Sequence, residues 1–248
     1  MGLTSYSSSR AALLSDADFP HSILQHFKGG RIRLFQILFE RYSKLAFTKS
    51  TDRSVAISGL EKRLARIFGT QGGYGIFKCF LQRSLIWHRV RDKKMTRIRY
   101  PAKRKVPSWS WMAYDGEISY MDIPFGEVEW NDNIYSSFPD EHHGKSPCHR
   151  KKTTIRLRAV VQEFAIDGAG NKEEFLVFDE QNITDIKALK CVIIGKQKLA
   201  VSSNKEKHYV LILTPRRSKE VWGPHERVGV GWIPERNIHG EGVLVDLV

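Results

Sequence analysis

Between Ile32 and Leu45 the apolar side chains fall at Ile32, Phe35, Leu38, Phe39, Tyr42 and Leu45, the spacing of one helical face. A second helix is predicted to start at Thr51 or Asp52, either of which can cap it, with Val55, Leu60, Leu64, Ile67 and Phe68 as its apolar face. Gly69 then suits the left-handed position that ends a helix. After the Gln71-Gly72-Gly73 loop, Phe77, Phe80, Leu81, Leu85 and His88 mark the buried side of a third. Beyond Pro101 the period changes from helical to alternating. Trp109 and Trp111, two apart after Pro107, put both indoles on one face of an extended strand, with Ser108 and Ser110 on the other. Asp115-Gly116 predicts a hairpin between this run and the alternating Ile118–Ile123 segment. Strand-like runs follow at Thr154–Ile166, Phe175–Phe178, Cys191–Ile194, Leu199–Val201, His208–Leu213, Arg227–Ile233 and Val243–Val248.

These elements predict an α+β fold, a small N-terminal helical unit packed on a mainly antiparallel β-sandwich or open barrel. The expected divisions are a flexible arm over 1–30, a three-helix unit over 31–92, a basic linker over 93–106 and a β-rich domain over 107–248. A polar loop is expected within the last, over 131–153. At 248 residues and 41% hydrophobic, the chain is long and apolar enough to bury a core. It has no apolar run of the roughly 20 residues that span a bilayer, and its N-terminus lacks a signal-peptide core. Three separated cysteines, Cys79, Cys148 and Cys191, fit a reducing compartment and no disulfide framework. The expected location is the cytoplasm, with the nucleus as an alternative.

Several ordered segments resemble one family. Tyr42-Ser43, Leu45, Thr48, Asp52 and Val55-Ala56-Ile57-Ser58-Gly59-Leu60 come first. Then follow Tyr74-Gly75-Ile76-Phe77 with Leu81, Leu85, Ile86 and Trp87, the run Pro107-Ser108-Trp109-Ser110-Trp111, and Glu226-Arg227-Val228-Gly229-Val230-Gly231. This series is similar to the region that follows the HET domain in fungal heterokaryon-incompatibility proteins. Two positions depart from it: Phe77 stands where a tryptophan is usual, and Met112-Ala113 stands where Ala-Ser is usual. The resemblance assigns Gly59, Trp87, Pro107, Trp109, Trp111 and Gly229 to a signature core. In that family the HET domain lies N-terminal to these segments, resembles the TIR fold, some members of which cleave NAD, and begins with an aromatic Ser-Tyr-x-Trp-Gly motif. No such motif occurs here, so the resemblance implies an accessory or regulatory region without its HET domain, and no catalytic residue carries over. Its implied partner is a protein, either an effector domain or another incompatibility factor, in nonself recognition and programmed cell death.

Charge suggests a different class. The net charge is +13, and nine cations crowd one stretch: Arg89, Arg91, Lys93, Lys94, Arg97, Arg99, Lys103, Arg104 and Lys105. Clustered Lys and Arg interleaved with Tyr100 and Trp109 can bind phosphates, which makes a nucleic-acid-binding module the alternative function. The plainer reading is a solvated linker. Lys103-Arg104-Lys105 also fits a nuclear-import pattern. Asp140, Glu141, His142, His143, Cys148 and His149 have zinc-binding chemistry, but adjacent histidines and a missing Cys pair argue for a polar loop. No Gly-rich phosphate loop, carboxylate pair or Cys–His constellation suggests catalysis. Cys79, beside Phe80, reads as inert packing. No enzyme activity, cofactor or metal is expected.

Overall fold

A computed structural model describes residues 28–138, 155–166, 175–181, 188–198, 206–216 and 223–248. The chain is α+β. Helix α1 (Lys28–Ser43) buries Ile32, Phe35, Leu38 and Phe39. A single 3-10 turn (Ser50–Asp52) leads into α2 (Arg53–Ala56), and α3 (Ser58–Ile67) follows after a break at Ile57. That break turns Val55 outward, half exposed, while Ile57 enters the core at 1% exposure, so the continuous helical face expected from Val55 onward is interrupted. Helix α3 ends as its glycine requires. Gly69 has φ +59°, its N–H donates to Arg66 O, and Thr70 N–H donates to Ala65 O, a Schellman closure.

The third helix is short. Residues Gly72–Gly73 (β1) and Ile76–Phe77 (β2) form a hairpin around Tyr74-Gly75. A 3-10 turn and the five-residue α4 (Leu81–Leu85) follow. His88 then sits on strand β3 (Trp87–Arg89), not on a helix. Both hairpin-turn residues have positive φ, +56° for Tyr74 and +82° for Gly75, the geometry that fits the twist of a two-residue hairpin. Helical spacing over this stretch was a coincidence of a tight hairpin with one helical turn.

Strand β4 (Thr96–Arg97) lies inside the expected linker and pairs with β5 (Tyr114–Asp115). Strand β6 (Ile118–Tyr120) pairs with β3. Asp115-Gly116 therefore makes no hairpin; it passes the chain from one small sheet to another. Arg53 holds it there, donating to Asp115 Oδ1 at 3.0 Å and to Gly116 O at 3.3 Å. Met95 and Ile98 are buried and anchor the 93–106 segment to the core, while most of its other residues are exposed.

The remaining strands are β7 (Val128–Trp130), β8 (Ile134–Ser136), β9 (Leu157–Phe164), β10 (Phe175–Phe178), β11 (Lys190–Gln197), β12 (Lys207–Pro215), β13 (His225–Pro234) and β14 (Ile238–Leu247). Strands β11, β12 and β13 form an antiparallel meander. Strand β14 pairs with β9, and β9 returns to β11. A single parallel pair, His225 with Leu247, joins β13 to β14. The five strands thus close into a ring, with β7, β8 and β10 added outside it on β11, β9 and β13. Register shifts at Ile193/Gly195 and His239/Val243 bend the long strands enough to close it. Strand β8 occupies the start of the expected 131–153 loop.

One hydrophobic cluster runs from α1 through Phe77, Trp87, Trp109 and Trp111 into Leu157, Leu211 and Val230 of the barrel. Helical unit and barrel share a core.

Candidate functional site

The signature segments meet at Arg227. Its side chain is fully buried and forms a double hydrogen bond with Asp179, Nε to Oδ2 at 3.1 Å and Nη2 to Oδ1 at 3.3 Å. Nη1 donates to Leu85 O at 2.6 Å, Nη2 donates to Trp87 O, and the guanidinium lies 3.5 Å over the Trp87 ring. Burial pushes the Asp179 pKa up, and the Arg227 guanidinium opposes that. The backbone N–H of Arg227 donates to Ser108 Oγ at 2.9 Å, and that hydroxyl donates to Val248 O. Four separate parts of the chain are tied together at this one residue, two by its guanidinium and two through its backbone N–H.

Trp109 and Trp111 are not on a strand. Ser110 N–H bonds back to Pro107 O at 3.0 Å, a turn, and Ser110 Oγ caps the 3-10 turn Trp111–Ala113 by accepting from Met112 N–H. The serines, expected on the face opposite the indoles, are buried at 0% and 1%. Their hydroxyls satisfy backbone groups that a strand ladder would otherwise satisfy, which is why the alternation misleads. Both indoles are buried. Trp111 packs on Phe39 and Tyr42 of the helical unit, and Trp109 packs edge-on to Tyr74. Trp87 Nε1 donates to Trp109 O at 3.0 Å.

Glu61 was not anticipated. It is 7% exposed and accepts the Gly75 N–H. Burial raises its pKa to about 7, with the Gly75 and Tyr74 N–H groups opposing the rise. Ser110 Oγ donates to Tyr74 O at 2.7 Å from the other side. A side chain at Gly75 would collide with the Trp111 indole, so this turn needs its glycine for space as well as for φ. The sequence carried the signal: Glu61, Leu64, Ala65 and Phe68 fall at i, i+3, i+4 and i+7, so the carboxylate heads the buried stripe. A carboxylate titrating near neutrality is a general-base candidate. Its described contacts, however, are with the packed 74–75 turn.

The nine cations do not form one surface. Arg89 donates to Phe178 O and to the carbonyls of Arg91 and Lys93, and so shapes its own loop. Arg91 stacks on Phe175 at 4.7 Å. Lys93 faces Glu117 at 3.6 Å, Arg97 forks onto Glu226 at 2.9 and 3.3 Å, and Arg104 lies 3.9 Å from Asp52. Lys94, Arg99, Lys103 and Lys105 are exposed and make no such contact among the described residues.

Other buried cations also serve the fold. Arg83 donates to Ile123 O and Pro124 O and lies 4.8 Å from both the Phe125 and the Trp130 rings. Burial lowers its pKa to about 10. Cys79 is exposed on a 3-10 turn and not inside a helix, whereas burial pushes Cys191 up to about 12. The zinc-type residues Asp140, Glu141, His142, His143, Cys148 and His149 lie outside the described residues. A separate trio does come together, Glu206, His208 and Glu235 at one end of the barrel. Glu206 and His208 are two apart at the start of β12, whereas Glu235 is far along the chain and is brought to them by strand register. A groove of about 280 Å³ follows the bulged part of β14, lined by Glu163, Lys190 and Glu241 among others. No helix among the described residues is long and apolar enough to cross a membrane. No protein-family model, curated protein or solved structure matches the chain.

Proposed function

We propose that this chain is a non-catalytic accessory region of the type that follows the HET domain in fungal heterokaryon-incompatibility proteins, a rigid module that docks, restrains or relays to an effector domain. The observation that supports it is the Arg227 node. Residues of the resemblance from Trp87, Ser108 and Arg227 interlock at one buried point, so the recurring residue types have a shared physical role in holding a scaffold together. The charged groups gathered there are spent on one another and on backbone carbonyls. The test is co-expression with a HET-domain polypeptide encoded by the same genome. A stable complex, together with a change in that domain's toxicity, is expected. Independent purification of the two, with toxicity unaltered, would remove the reading.

The four unengaged cations favour a second reading, polyanion binding through Lys94, Arg99, Lys103 and Lys105. Four phosphate contacts correspond to a slope of about −3.6 in log K against log salt on duplex DNA. A fourfold alanine variant would then lose binding altogether. Binding that persists in that variant, or that has no salt dependence, excludes this surface.

A further inference from the structure

Away from the Arg227 node, three ligand-type side chains converge on one end of the barrel. Glu206 precedes β12, His208 is its second residue, and Glu235 opens the 3-10 turn (Glu235–Asn237) between β13 and β14. The pairings Lys207 with Pro234 and His208 with Ile233 bring the start of β12 against the end of β13. A ring nitrogen of His208 and one carboxylate oxygen of each glutamate all lie within 4.8 Å of one another. His208 is 6% exposed, and its Nδ1, shielded from solvent, has no hydrogen-bond partner. A buried imidazole nitrogen left unpaired carries an unmet polar cost. Lys196, the cross-strand partner of His208 on β11, places Nζ 2.6 Å from Glu206 Oε2. Two carboxylates against one ammonium leave an excess of one negative charge.

We propose that Glu206, His208 and Glu235 form a binding site for a divalent first-row cation that clamps the start of β12 to the turn between β13 and β14. This inference is independent of the accessory-region reading. One imidazole and two carboxylates form a mixed nitrogen–oxygen donor set, which suits Zn²⁺ better than the all-oxygen preference of Mg²⁺ or Ca²⁺. Glu235 is exposed, and its carboxylate already lies beside that of Glu206. Glu206 has two oxygens, so it keeps Oε2 on Lys196 and offers Oε1. The cation gives the buried imidazole the partner that it lacks, and solvent completes a tetrahedral shell.

The test is isothermal titration of the tag-free, chelator-stripped full chain with ZnCl2, and with MgCl2 as the control. One equivalent of zinc in the micromolar range is expected, with no comparable magnesium binding. Glu235→Gln, at an exposed position, should weaken zinc at least tenfold with an unchanged circular dichroism spectrum, and His208→Gln should do the same. Lys196→Met should tighten binding severalfold by removing the competing charge. The double variant His142→Ala/His143→Ala should bind as the parent does. The proposal fails if zinc binds no better than magnesium, if Glu235→Gln and His208→Gln both retain parental affinity, or if binding disappears with His142 and His143.

Discussion

Arg227 brings a full charge into the middle of an aromatic core, and its cost is met because each of its three nitrogens donates to an acceptor. Removing one partner of such a pair strands the other, which costs about 3–5 kcal/mol, whereas replacing both with apolar groups is often close to neutral. Arg227→Met should therefore lower the urea midpoint sharply, and adding Asp179→Leu should recover most of the loss. Additive losses in that double variant would mean that the two side chains stabilise the fold separately. Glu61 makes a prediction of the opposite kind. Its folded pKa of about 7 lies above the unfolded value of about 4.3, so the native state binds the proton more tightly. The contribution is full below about pH 4.3 and is lost as pH rises from there to about 7, by about 4 kcal/mol at most. Stability measured at pH 5 and pH 8 should fall across that window in the parent relative to Glu61→Gln, in which the position cannot ionise. Equal pH dependence in the two proteins would place the titration elsewhere.

Elements were legible where one period ran long enough to be unambiguous. The α1 stripe and strand β9 follow it because each buries one face, and β11, β12 and β13 stand out as apolar runs buried on both faces over part of their length. Short pieces held by side chains were not legible. Ser108 and Ser110 look like the outward half of a strand, yet their hydroxyls serve as internal caps. Arg227 and Glu61 both stand in buried phase, one with Gly229, Gly231 and Ile233 along β13, the other above Leu64 and Phe68 on α3. Reading charged residues as surface concealed them. Two variants probe these elements. Trp109→Ala and Trp111→Ala should each cost about 3–5 kcal/mol, since both indoles are enclosed by aromatic neighbours. In β13, a Cβ at Gly231 would collide with Phe175 O, and one at Gly229 would come within 2.7 Å of Val177 O. Gly231→Ala should thus weaken β10 specifically, seen as faster amide exchange at Val177 and Asp179, whose N–H groups face β13, while β12 keeps its protection. Uniform loss across β10 and β12 would point instead to collapse of the barrel.

At the scale of the whole chain, the division into a helical unit, a linker and a β-rich domain meets a core that ignores it. Trp87 precedes the basic stretch, Trp109 follows it, and Arg227 lies far along the barrel, yet all three are in one buried cluster of contacts. Strand β3, from the first part of the chain, and β4, from the expected linker, pair with β6 and β5 from the last. Separating the parts would expose Trp87, Phe77 and the underside of the Pro107–Trp111 turn to water, together with the unpaired charges of Arg227 and Asp179. The expectation is a single cooperative unfolding transition, although the chain is longer than most two-state domains. Far-ultraviolet circular dichroism, which follows the helices and strands together, should give the same urea midpoint as tryptophan fluorescence, which reports on the core. A fragment of residues 107–248 expressed alone should have poorly dispersed, exchange-broadened amide spectra, because Arg227 would lack both Leu85 O and Trp87 O as acceptors. Two resolved transitions, or a fragment with sharp native spectra, would show that the barrel folds on its own and that the helical unit is an attachment. The Arg227 contacts argue for the first outcome, since no cut between the helical unit and the barrel leaves that guanidinium satisfied.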